Sequence, residues 1–426
     1  MMDVNSLWRV TAPKPPIGLG ASGDLCCDVL VVGGGFTGLR AALEMAEAGT
    51  DVIVLEAETL GYGASGRSGG QVNPMLPVTY PADLRRAVGD VYFERMADVS
   101  LRSADDLFDL VRKYRIACDA RQNGWVRCNH CDKARTAWEK AARLWNAFGA
   151  GFEFLGQADV QRLTGASGYG SAVLSPKGGA VQPLSLVYGL AAAAVAAGAR
   201  IIEGARASQP RREGADWVLN IDQGQVRAQS IIVATNGYTD DLIPGLKRSI
   251  LPLTPVQIAT EPLSDDQIGP ILAQGHTISD TRRLIMYARR EPGNQMVFGG
   301  IGFRKPFGGT GGFRWLLQDA PRIFPSLKGV KWTYRWGGEI ALTSDHVPHL
   351  HEPEPGIFAG LGYNGRGVAM SLVMGKVLAQ RALGAGAESL PFPVTGMRNY
   401  RFRDIQVRGA GLAMGLMRVR DKLEAD

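Results

Sequence analysis

Three glycines and one acidic residue in the stretch 28–58 have the types and the spacing that dinucleotide binding requires. Gly33, Gly35 and Gly38 fit the pattern G-x-G-x-x-G, and Glu56 follows about twenty residues later, where a carboxylate accepts hydrogen bonds from a ribose. The first glycine permits a tight turn, the second lets the backbone approach a pyrophosphate, and the third allows a helix to pack closely on a strand. The alternative is a glycine-rich turn that binds no ligand. That alternative does not explain why an acidic residue follows at the expected spacing. The spacing therefore predicts a dinucleotide site.

The residues around these glycines predict the elements that position them. The apolar run 29–32 is typical of a strand buried on both faces, as a parallel sheet requires. The segment 39–48 places its apolar residues on one side of a helix, which Gly49 ends, and the run 52–55 is a second strand. Together they form a βαβ unit, and the N-terminus of its helix offers amide hydrogens and partial positive charge to phosphates.

Length and composition exclude several classes of protein. A chain of 426 residues with 45% hydrophobic content can bury a sizeable core and form two or three domains. The net charge of +6 is small and the basic residues are scattered, so we expect no nucleic-acid partner. No window approaches roughly twenty uninterrupted apolar residues, so we expect no transmembrane span, and the N-terminus lacks a secretory signal. Five cysteines, an odd number, give no disulfide framework and favour a cytoplasmic location.

The cysteines and histidines do not predict a metal site. Cys128 and Cys131 flank His130 in "CNHC", which is half of a zinc site, but no second pair of ligands follows. Free cysteines near a turn are the expectation. The histidines in "SDHVPHLH" (344–351) are interrupted by proline and turn-like sequence, so we expect a loop there.

Three further segments indicate which dinucleotide is bound. The segment 57–72, "AETLGYGASGRSGGQV", sets Arg67 among small residues, and such a loop lets backbone amides line a flavin and its phosphates. The segment 230–244, "SIIVATNGYTDDLIP", is a strand that runs into a turn. The segment 356–384 is a strand ending in glycines, followed by a helix that starts near Gly365. An NAD-dependent dehydrogenase shares only the first motif, so FAD is the predicted cofactor.

These motifs resemble those of the D-amino-acid-oxidase-like superfamily of FAD-dependent oxidoreductases. The resemblance covers nearly the whole chain, and "GASGRSGGQ", "FPSLKGVKWTYRWGG" and "GLGYNGRGV" are most similar to enzymes of the γ-glutamylputrescine oxidase and L-pipecolate oxidase type. It implies an α/β fold in which a Rossmann-like FAD-binding domain is interleaved with a substrate domain built on an antiparallel sheet plus helices. The expected segments are 24–84, 171–250 and 335–390 for the FAD-binding domain, 85–170 and 251–334 for the substrate domain, and 391–426 for a C-terminal tail.

The resemblance also implies which residues hold the cofactor. The ADP portion is assigned to Gly33, Gly35, Phe36, Thr37, Gly38, Glu56 and Ala57, with the adenine beside Ala207 in a predicted strand. The flavin and pyrophosphate are assigned to Ser65, Arg67, Ser68, Gly69, Gly70, Gln71, Thr235, Asn236, Gly237, Gly362, Tyr363, Asn364, Gly365, Arg366 and Gly367. Some members attach FAD through a cysteine in the segment that reads "RWGGEIALTSDHVP" here, and because this segment has no cysteine we expect noncovalent FAD.

The expected reaction removes a hydride from the carbon next to an amine nitrogen, and the imine product is then hydrolysed. Tyr287 and Arg289 are two residues apart on a predicted strand and face the same side, where they either hold an apolar stem and a carboxylate or belong to an edge strand. Tyr363 lies in the C-terminal glycine loop and is the third candidate. Glycine-oxidase-like members have a carboxylate-binding arginine where Ile340 stands here, and Arg335 either lines the site or pairs with a carboxylate such as Glu339.

The predicted partners are a small amine or amino acid, with a γ-glutamylated diamine or a cyclic imino acid such as L-pipecolate as the main contenders. Oxygen or a membrane quinone is the expected electron acceptor. The tail contains an amphipathic helix that either packs on its own domain or contacts the inner membrane peripherally, and the N-terminal "SLWRVTAPKPP" is expected to be an extended arm. The alternative function is that of an FAD-binding subunit of a multi-subunit dehydrogenase.

Overall fold

The computed structural model describes residues 5–15, 23–222, 224–305 and 308–425. The helices are α1 Leu7–Thr11, α2 Phe36–Glu47, α3 Pro81–Lys113, α4 Asp132–Asn146, α5 Gln157–Thr164, α6 Pro183–Ala196, α7 Asp265–Ile268, α8 Phe313–Ile323, α9 Gly367–Ala382 and α10 Arg403–Ala425. The strands are β1 Leu25–Val32, β2 Val52–Glu56, β3 Gln71–Val72, β4 Trp125–Cys128, β5 Glu153–Gly156, β6 Ser171–Ser175, β7 Gly179–Ala180, β8 Arg200–Glu203, β9 Arg211–Glu213, β10 Asp216–Ile221, β11 Gly224–Val233, β12 Leu251–Thr260, β13 Thr277–Asp280, β14 Met286–Arg290, β15 Met296–Arg304, β16 Thr310–Gly311, β17 Trp332–Gly337, β18 Ile340–Leu342, β19 His349–Glu354 and β20 Ile357–Leu361.

The first sheet contains the predicted βαβ unit. Its strand order is β19-β20-β11-β1-β2-β8, and β20, β11, β1, β2 and β8 run parallel to one another. The end of β1 is buried on both faces because the sheet is covered on both sides, which is why its sequence is uninterruptedly apolar. The predicted unit of strand, helix and strand is confirmed as β1, α2 and β2.

Two further helices fix the position of α2. It packs against α6 on one side and α9 on the other. Gly375 of α9 makes the second contact close, because a Cβ at this position would lie 2.5 Å from the carbonyl oxygen of Thr37. The N-terminus of α2, which faces the site described below, is therefore held by packing on two sides.

The second sheet has the order β17-β12-β15-β14-β13-β4-β6-β5. Its strands are antiparallel to their neighbours except that β13 and β4 are parallel. Two strands differ from the expected segments, since β6 and β18 pair in this sheet although their residues were assigned to the FAD-binding segments. Strand pairing is a long-range choice that these short sequences do not encode by themselves.

One row of residues crosses five strands of the second sheet. Arg127 of β4 is in register with Ser279 of β13, which pairs with Tyr287 of β14. Tyr287 is in register with Gly299 of β15, which pairs with Gln257 of β12. Residues in register across a sheet point to the same face. This row therefore brings side chains from 127 to 299 onto one wall.

Both ends of the chain pack on the sheets. The N-terminal segment was expected to be an extended arm, but it forms the short helix α1, whose Trp8 is fully buried. At the other end α10 packs on β12 and β15, and the carboxylate of Asp421 accepts hydrogen bonds from the backbone amides of Arg283 (3.1 Å) and Leu284 (2.9 Å). Within the described ranges no helix has the length and apolar character that crossing a membrane would require.

Candidate active site

A cavity with a volume of about 500 Å³ lies between the first sheet and one face of the second. Gly33 and Glu56, at the ends of β1 and β2, form one side, and Arg127, Tyr287 and Gln257 form the other. The space beyond the carboxyl ends of parallel strands is where α/β sheets bind ligands. The fold thus places the predicted dinucleotide turn and the row of the second sheet around one space.

Most of the residues expected to hold the cofactor line this cavity. They are Gly33, Gly35, Phe36, Thr37, Glu56, Ala57, Ser65, Arg67, Ser68, Gly69, Gly70, Gln71, Ala207, Thr235, Asn236, Tyr363, Asn364, Gly365, Arg366 and Gly367. The other three, Gly38, Gly237 and Gly362, are packed behind its wall. A Cβ on Gly38 would collide with the carbonyl oxygen of Gly33, and one on Gly237 would lie 2.5 Å from that of Glu339. These glycines shape the wall through packing.

The glycine turn has the geometry that a pyrophosphate needs. Gly33 has a φ of 115°, which favours glycine, and a Cβ there would lie 2.9 Å from the carbonyl oxygen of Ala234. Gly35 is the N-cap of α2 and provides no side-chain cap, so the helix N-terminus is open to the cavity apart from the amide of Phe36. The amide of Phe36 donates to Oγ of Ser65 at 2.9 Å, and this bond connects the turn to the segment 65–71. A dinucleotide fits this cradle.

Glu56 is held where the sequence predicts a ribose-binding carboxylate. Its Oε2 accepts from the amide of Gly34 at 2.9 Å and its Oε1 from the amide of Glu58 at 3.0 Å. Burial raises the pKa of this carboxyl, and the two backbone hydrogen bonds partly oppose that effect. Each carboxylate oxygen can accept a further bond. Ala207 lines the same end, but in a loop after β8 rather than in the predicted strand, since 205–210 pair with no strand within the described ranges.

Three side chains hold the segment 65–71, called the flavin loop below, by hydrogen bonds to its backbone carbonyls. Nε1 of Trp8 donates to the carbonyl of Ser68 at 2.8 Å, and Nε1 of Trp336 donates to that of Arg67 at 3.0 Å. Arg289 donates to the carbonyl of Gly70 at 2.9 Å through Nη1. These three donors bond to carbonyl oxygens of the loop from the side away from the cavity. They therefore fix the position of the loop where it faces the cavity.

The expectation that Arg289 binds a substrate carboxylate is wrong in this geometry. Its Nε and Nη2 donate to Glu291 at 2.5 and 3.0 Å, and Nη1 also donates to the carbonyl of Val181 at 2.7 Å. The side chain is 1% exposed, so it is sealed from the cavity. Arg289 faces the same side of β14 as Tyr287, as predicted, but the guanidinium is used to hold the flavin loop.

The C-terminal glycine loop is joined to α2 and to the turn after β11. The hydroxyl of Tyr363 lies 2.7 Å from that of Thr37, and burial raises the pKa of this tyrosine. The amide of Gly362 donates to Oδ1 of Asn236 at 3.0 Å, and the amide of Thr343 donates to Oδ1 of Asn364 at 2.8 Å. The predicted loop residues therefore form one bonded unit.

Two buried acceptors on the cavity wall, one on the second sheet and one in the segment after β3, have no hydrogen-bond partner among the described residues. Nε2 of Gln257 donates to the hydroxyl of Tyr287 at 2.5 Å, whereas Oε1 of Gln257 is buried without a hydrogen-bond partner among the described residues. Oδ1 of Asn73 is also buried without a hydrogen-bond partner among the described residues. Gln257 and Asn73 both line the cavity. Burial raises the pKa of Tyr287, whose ring lies across Gly299. Buried unpaired acceptors mark a place for a ligand donor.

Sequence reasoning missed several residues that line the cavity, among them Asn73, Trp125, Arg127 and Gln257. One signal was present, since Trp125 and Arg127 alternate in the short strand "WVRC" as Tyr287 and Arg289 do in theirs. Gln257 is the polar residue in the apolar half of β12. Asn73 has no such signal.

Residues weighed as metal ligands or ion-pair partners lie outside this cavity. Nε2 of His349 is 3.0 Å from the carboxylate of Asp345, and Nδ1 of His351 is 2.7 Å from the carbonyl of Thr395. The five cysteines are free, and none of them is among the described residues that line the cavity. Arg335 is exposed, and Arg304, rather than Arg335, pairs with Glu339 at 3.0 Å.

Sequence comparison identifies relatives of the whole chain. Residues 28–381 match the family described as "DAO: FAD dependent oxidoreductase". The chain is 33% identical over 390 residues to "Gamma-glutamylputrescine oxidoreductase" of Escherichia coli (strain K12), an alignment that covers 87% of this chain and 88% of the relative. It is 23% identical over 371 residues to "Glycine oxidase" of Geobacillus kaustophilus, which covers 83% of this chain and 92% of the relative.

Solved structures share the fold. Glycine oxidase from Geobacillus kaustophilus superposes with a TM-score of 0.73 at 21% identity, covering 87% of this chain and 99% of that one. L-Proline dehydrogenase from P. horikoshii superposes with a TM-score of 0.69 at 19% identity, covering 85% and 93%. The α/β fold with an FAD-binding part and a second sheet is therefore as predicted.

Proposed function

The chain belongs to the DAO family of FAD-dependent oxidoreductases, and from that premise we propose that its substrate is a γ-glutamylated diamine, with a cyclic imino acid such as L-pipecolate as the second contender. The class of reaction is FAD-dependent oxidation of an amine or amino acid, and the cofactor is FAD. The relative named for γ-glutamylputrescine supports the first substrate. The absence of cysteine from the cavity wall, within the described ranges, supports noncovalent attachment.

Residues on both sides of the cavity suit this cofactor. The N-terminus of α2 and Glu56 would hold its phosphates and ribose, and the loops around Gly69 and Gly365 would hold its ring system. When bound, FAD supplies the hydride acceptor for oxidation of the carbon next to nitrogen. The contribution of the chain is to bind the amine, orient it and exclude water.

The observation that carries the proposal is the pair of unpaired acceptors that line the cavity among the described residues, one on β12 of the second sheet and one in the segment after β3. Oε1 of Gln257 and Oδ1 of Asn73 suit the N–H groups of an amine. Because Nε2 of Gln257 donates to the hydroxyl of Tyr287, the hydrogen of that hydroxyl is available to the cavity. Burial raises the pKa of Tyr287 and so keeps its hydrogen in place at neutral pH.

Other wall residues keep water and small α-amino acids from competing. Leu253, Ile285, Ile301 and Ile340 give the wall an apolar surface. Ile340 lines the cavity where some relatives carry a carboxylate-binding arginine, which argues against glycine-like substrates bound in that manner. The charges of Arg127 and Arg366 on the same wall disfavour an ammonium nearby, and the neutral amine is the form that can give up a hydride.

Anaerobic reduction of the bound flavin tests the proposal. The purified holoprotein is mixed without oxygen with γ-glutamylputrescine, putrescine, L-pipecolate, L- and D-proline, sarcosine and glycine, and the flavin absorbance is followed. Bleaching by γ-glutamylputrescine supports the first substrate, and bleaching by L-pipecolate alone replaces it with the second. If no amine bleaches the flavin, amine oxidation is refuted. Admitting air afterwards tests oxygen as the electron acceptor, because the colour returns only if oxygen reoxidises the flavin.

Two variants test the amine-binding wall. Gln257→Met removes the acceptor and the bond to Tyr287, so we expect bleaching to become slower by roughly tenfold or more, consistent with the loss of about 1–3 kcal/mol from an unpaired partner. Gln274→Met is the matched control, since Gln274 is exposed. Equal rates in the two variants would refute the assignment of Gln257.

A further inference from the structure

Two of the arginines that line the cavity come from different elements of the fold. Arg127 is on β4 of the second sheet, and Arg366 is the N-cap of α9 in the C-terminal glycine loop. The guanidinium carbon of Arg366 lies 4.6 Å from the ring centre of Trp125, and that of Arg127 lies 4.1 Å from the ring centre of Trp138. The fold thus brings two cations to one space and stacks each on an indole.

Within the described ranges, neither arginine has a counter-ion. Among the described residues, the guanidinium groups of Arg127 and Arg366 form no ion pair, and Nε of Arg127 is a buried donor without a partner. Other arginines at the interior differ in this respect. Arg289 is paired with Glu291 at 2.5 Å, and Arg282 contacts Asp319 at 2.8 Å. A buried cation without an anion is costly, so these two are unlike the structural arginines of the same chain.

Their charges also act on each other. Burial, and then the charge of Arg127, lowers the pKa of Arg366 to about 9. Burial lowers the pKa of Arg127 to about 10, and Asp280 partly opposes that effect. Both groups still carry their charge at neutral pH, so the protein alone holds two like charges at one cavity wall. An anion between them would relieve the repulsion and satisfy their donors.

Building on the proposed amine oxidation, we propose that Arg127 and Arg366 bind a carboxylate of the substrate. The guanidinium fork matches a carboxylate, and two forks from two elements fix its position. The other candidate positions have partners or no charge. Arg289 is sealed behind the flavin loop, Arg67 donates to the carbonyls of Tyr62 and Gly337, Arg206 pairs with Asp240 at 3.1 Å, and Ile340 is apolar. The substrate class is therefore amines that carry a carboxylate, in preference to free diamines.

The sheet register gives the spacing between the proposed carboxylate-binding and amine-binding residues. Arg127 and Tyr287 are in register through Ser279, so their Cα atoms are two strand spacings, about 10 Å, apart. A substrate with its amine at Tyr287 and its carboxylate at Arg127 must separate the two groups by several bonds. A γ-glutamylated diamine meets this requirement, whereas a simple α-amino acid does not.

A matched pair of substrates tests the subsite in the holoprotein. The pair is γ-glutamylputrescine and the same compound with its α-carboxylate converted to the amide. Flavin reduction at limiting substrate is measured for the wild type, Arg127→Gln, Arg366→Gln and the exposed control Arg314→Gln, which loses the same charge. We expect the wild type and the control to prefer the acid. Each site variant should lose that preference roughly 10- to 100-fold, which corresponds to one charged hydrogen bond.

Binding of glutarate by calorimetry separates this inference from the proposed oxidation. If neither substrate reduces the flavin but the wild type binds glutarate and both site variants lose at least tenfold in affinity, the oxidation fails and the anion subsite stands. If the wild type does not bind glutarate and does not distinguish the acid from its amide, the subsite is refuted. Loss of FAD from both site variants would also overturn it, because the pair would then serve the cofactor.

Discussion

Replacing Arg289 by methionine distinguishes a structural arginine from a substrate-binding one. The change removes two bonds to Glu291 (2.5 and 3.0 Å) and the bonds from Nη1 to the carbonyls of Val181 (2.7 Å) and Gly70 (2.9 Å). Methionine fills part of the volume but leaves Glu291, which is 5% exposed, with only the more distant Arg121, at 3.7 Å, as its cation. The flavin loop loses one of its three fasteners at the same time.

The expected cost follows from the buried ion pair. Removing one partner of such a pair lowers the free energy of unfolding by about 3–5 kcal/mol. An unfolding entropy of about 2.1 cal/mol/K per residue over 426 residues is about 0.9 kcal/mol/K, so Tm should fall by about 3–6 °C. FAD should also dissociate more readily, because the carbonyl of Gly70 is no longer held.

Thermal unfolding and FAD retention are measured for three proteins. The control is Arg304→Met, because Arg304 pairs with Glu339 at 3.0 Å but is 59% exposed, and such a pair contributes less than about 1 kcal/mol. The double variant Arg289→Met with Glu291→Met removes both charges and should recover part of the lost stability. A fall in Tm no larger than that of the control, together with a raised KM for acidic substrates only, would refute the structural role.

Four further perturbations test the cofactor site. Gly35→Val should yield protein without FAD, since its side chain would enter the space at the helix N-terminus; stoichiometric flavin absorbance would contradict this. FAD affinity should weaken as the pH falls toward the pKa of Glu56, which burial raises, because the protonated carboxyl is a poorer acceptor; Glu56→Gln should bind FAD with little pH dependence in the same titration. Tyr363→Phe should lower the free energy of unfolding by about 1–3 kcal/mol in urea titrations, because the hydroxyl of Thr37 loses its partner; if flavin reduction instead collapses with stability unchanged, the tyrosine acts on the substrate. Trp8→Ala should cost about 3–5 kcal/mol and loosen FAD, because it opens a cavity and frees the carbonyl of Ser68; unchanged FAD affinity would show that α1 is dispensable for the loop.

The half of the site that binds the cofactor could be predicted because it depends on local backbone geometry. The turn from Gly33 to Gly38 requires glycine at fixed offsets, and the acid follows at the end of the next strand of the same βαβ unit. All of these requirements are met by residues within about thirty contiguous positions of the sequence. Gly38 agrees with this reasoning, because the pattern assigns it to close helix–strand packing and a Cβ there would collide with the carbonyl oxygen of Gly33.

The substrate wall could not be predicted in the same way because strands distant in the sequence form it. Arg127 meets Ser279 across a parallel pair of strands, while the rest of the second sheet is antiparallel. Whether β4 pairs with β13 depends on how the 148 residues between Cys128 and Thr277 pack, which no local pattern encodes. The pairing of β6 and β18 in the second sheet, although their residues were expected in the FAD-binding segments, has the same cause.

Two arginines with the same local pattern show where the missing information lies. Trp125 and Arg127 alternate on β4 as Tyr287 and Arg289 alternate on β14, so the strand period makes the two pairs equivalent. The two arginines differ in the hydrogen-bond and ion-pair partners of their guanidinium groups. Arg289 has Glu291 two residues further on, and that carboxylate and three backbone carbonyls use its donors, so it has none left for a ligand. Arg127 has no acid within reach of an ion pair among the described residues, so its charge is available to a ligand. For a buried arginine on a strand, the presence or absence of a protein carboxylate partner is therefore a better guide to substrate binding than the direction in which the side chain points.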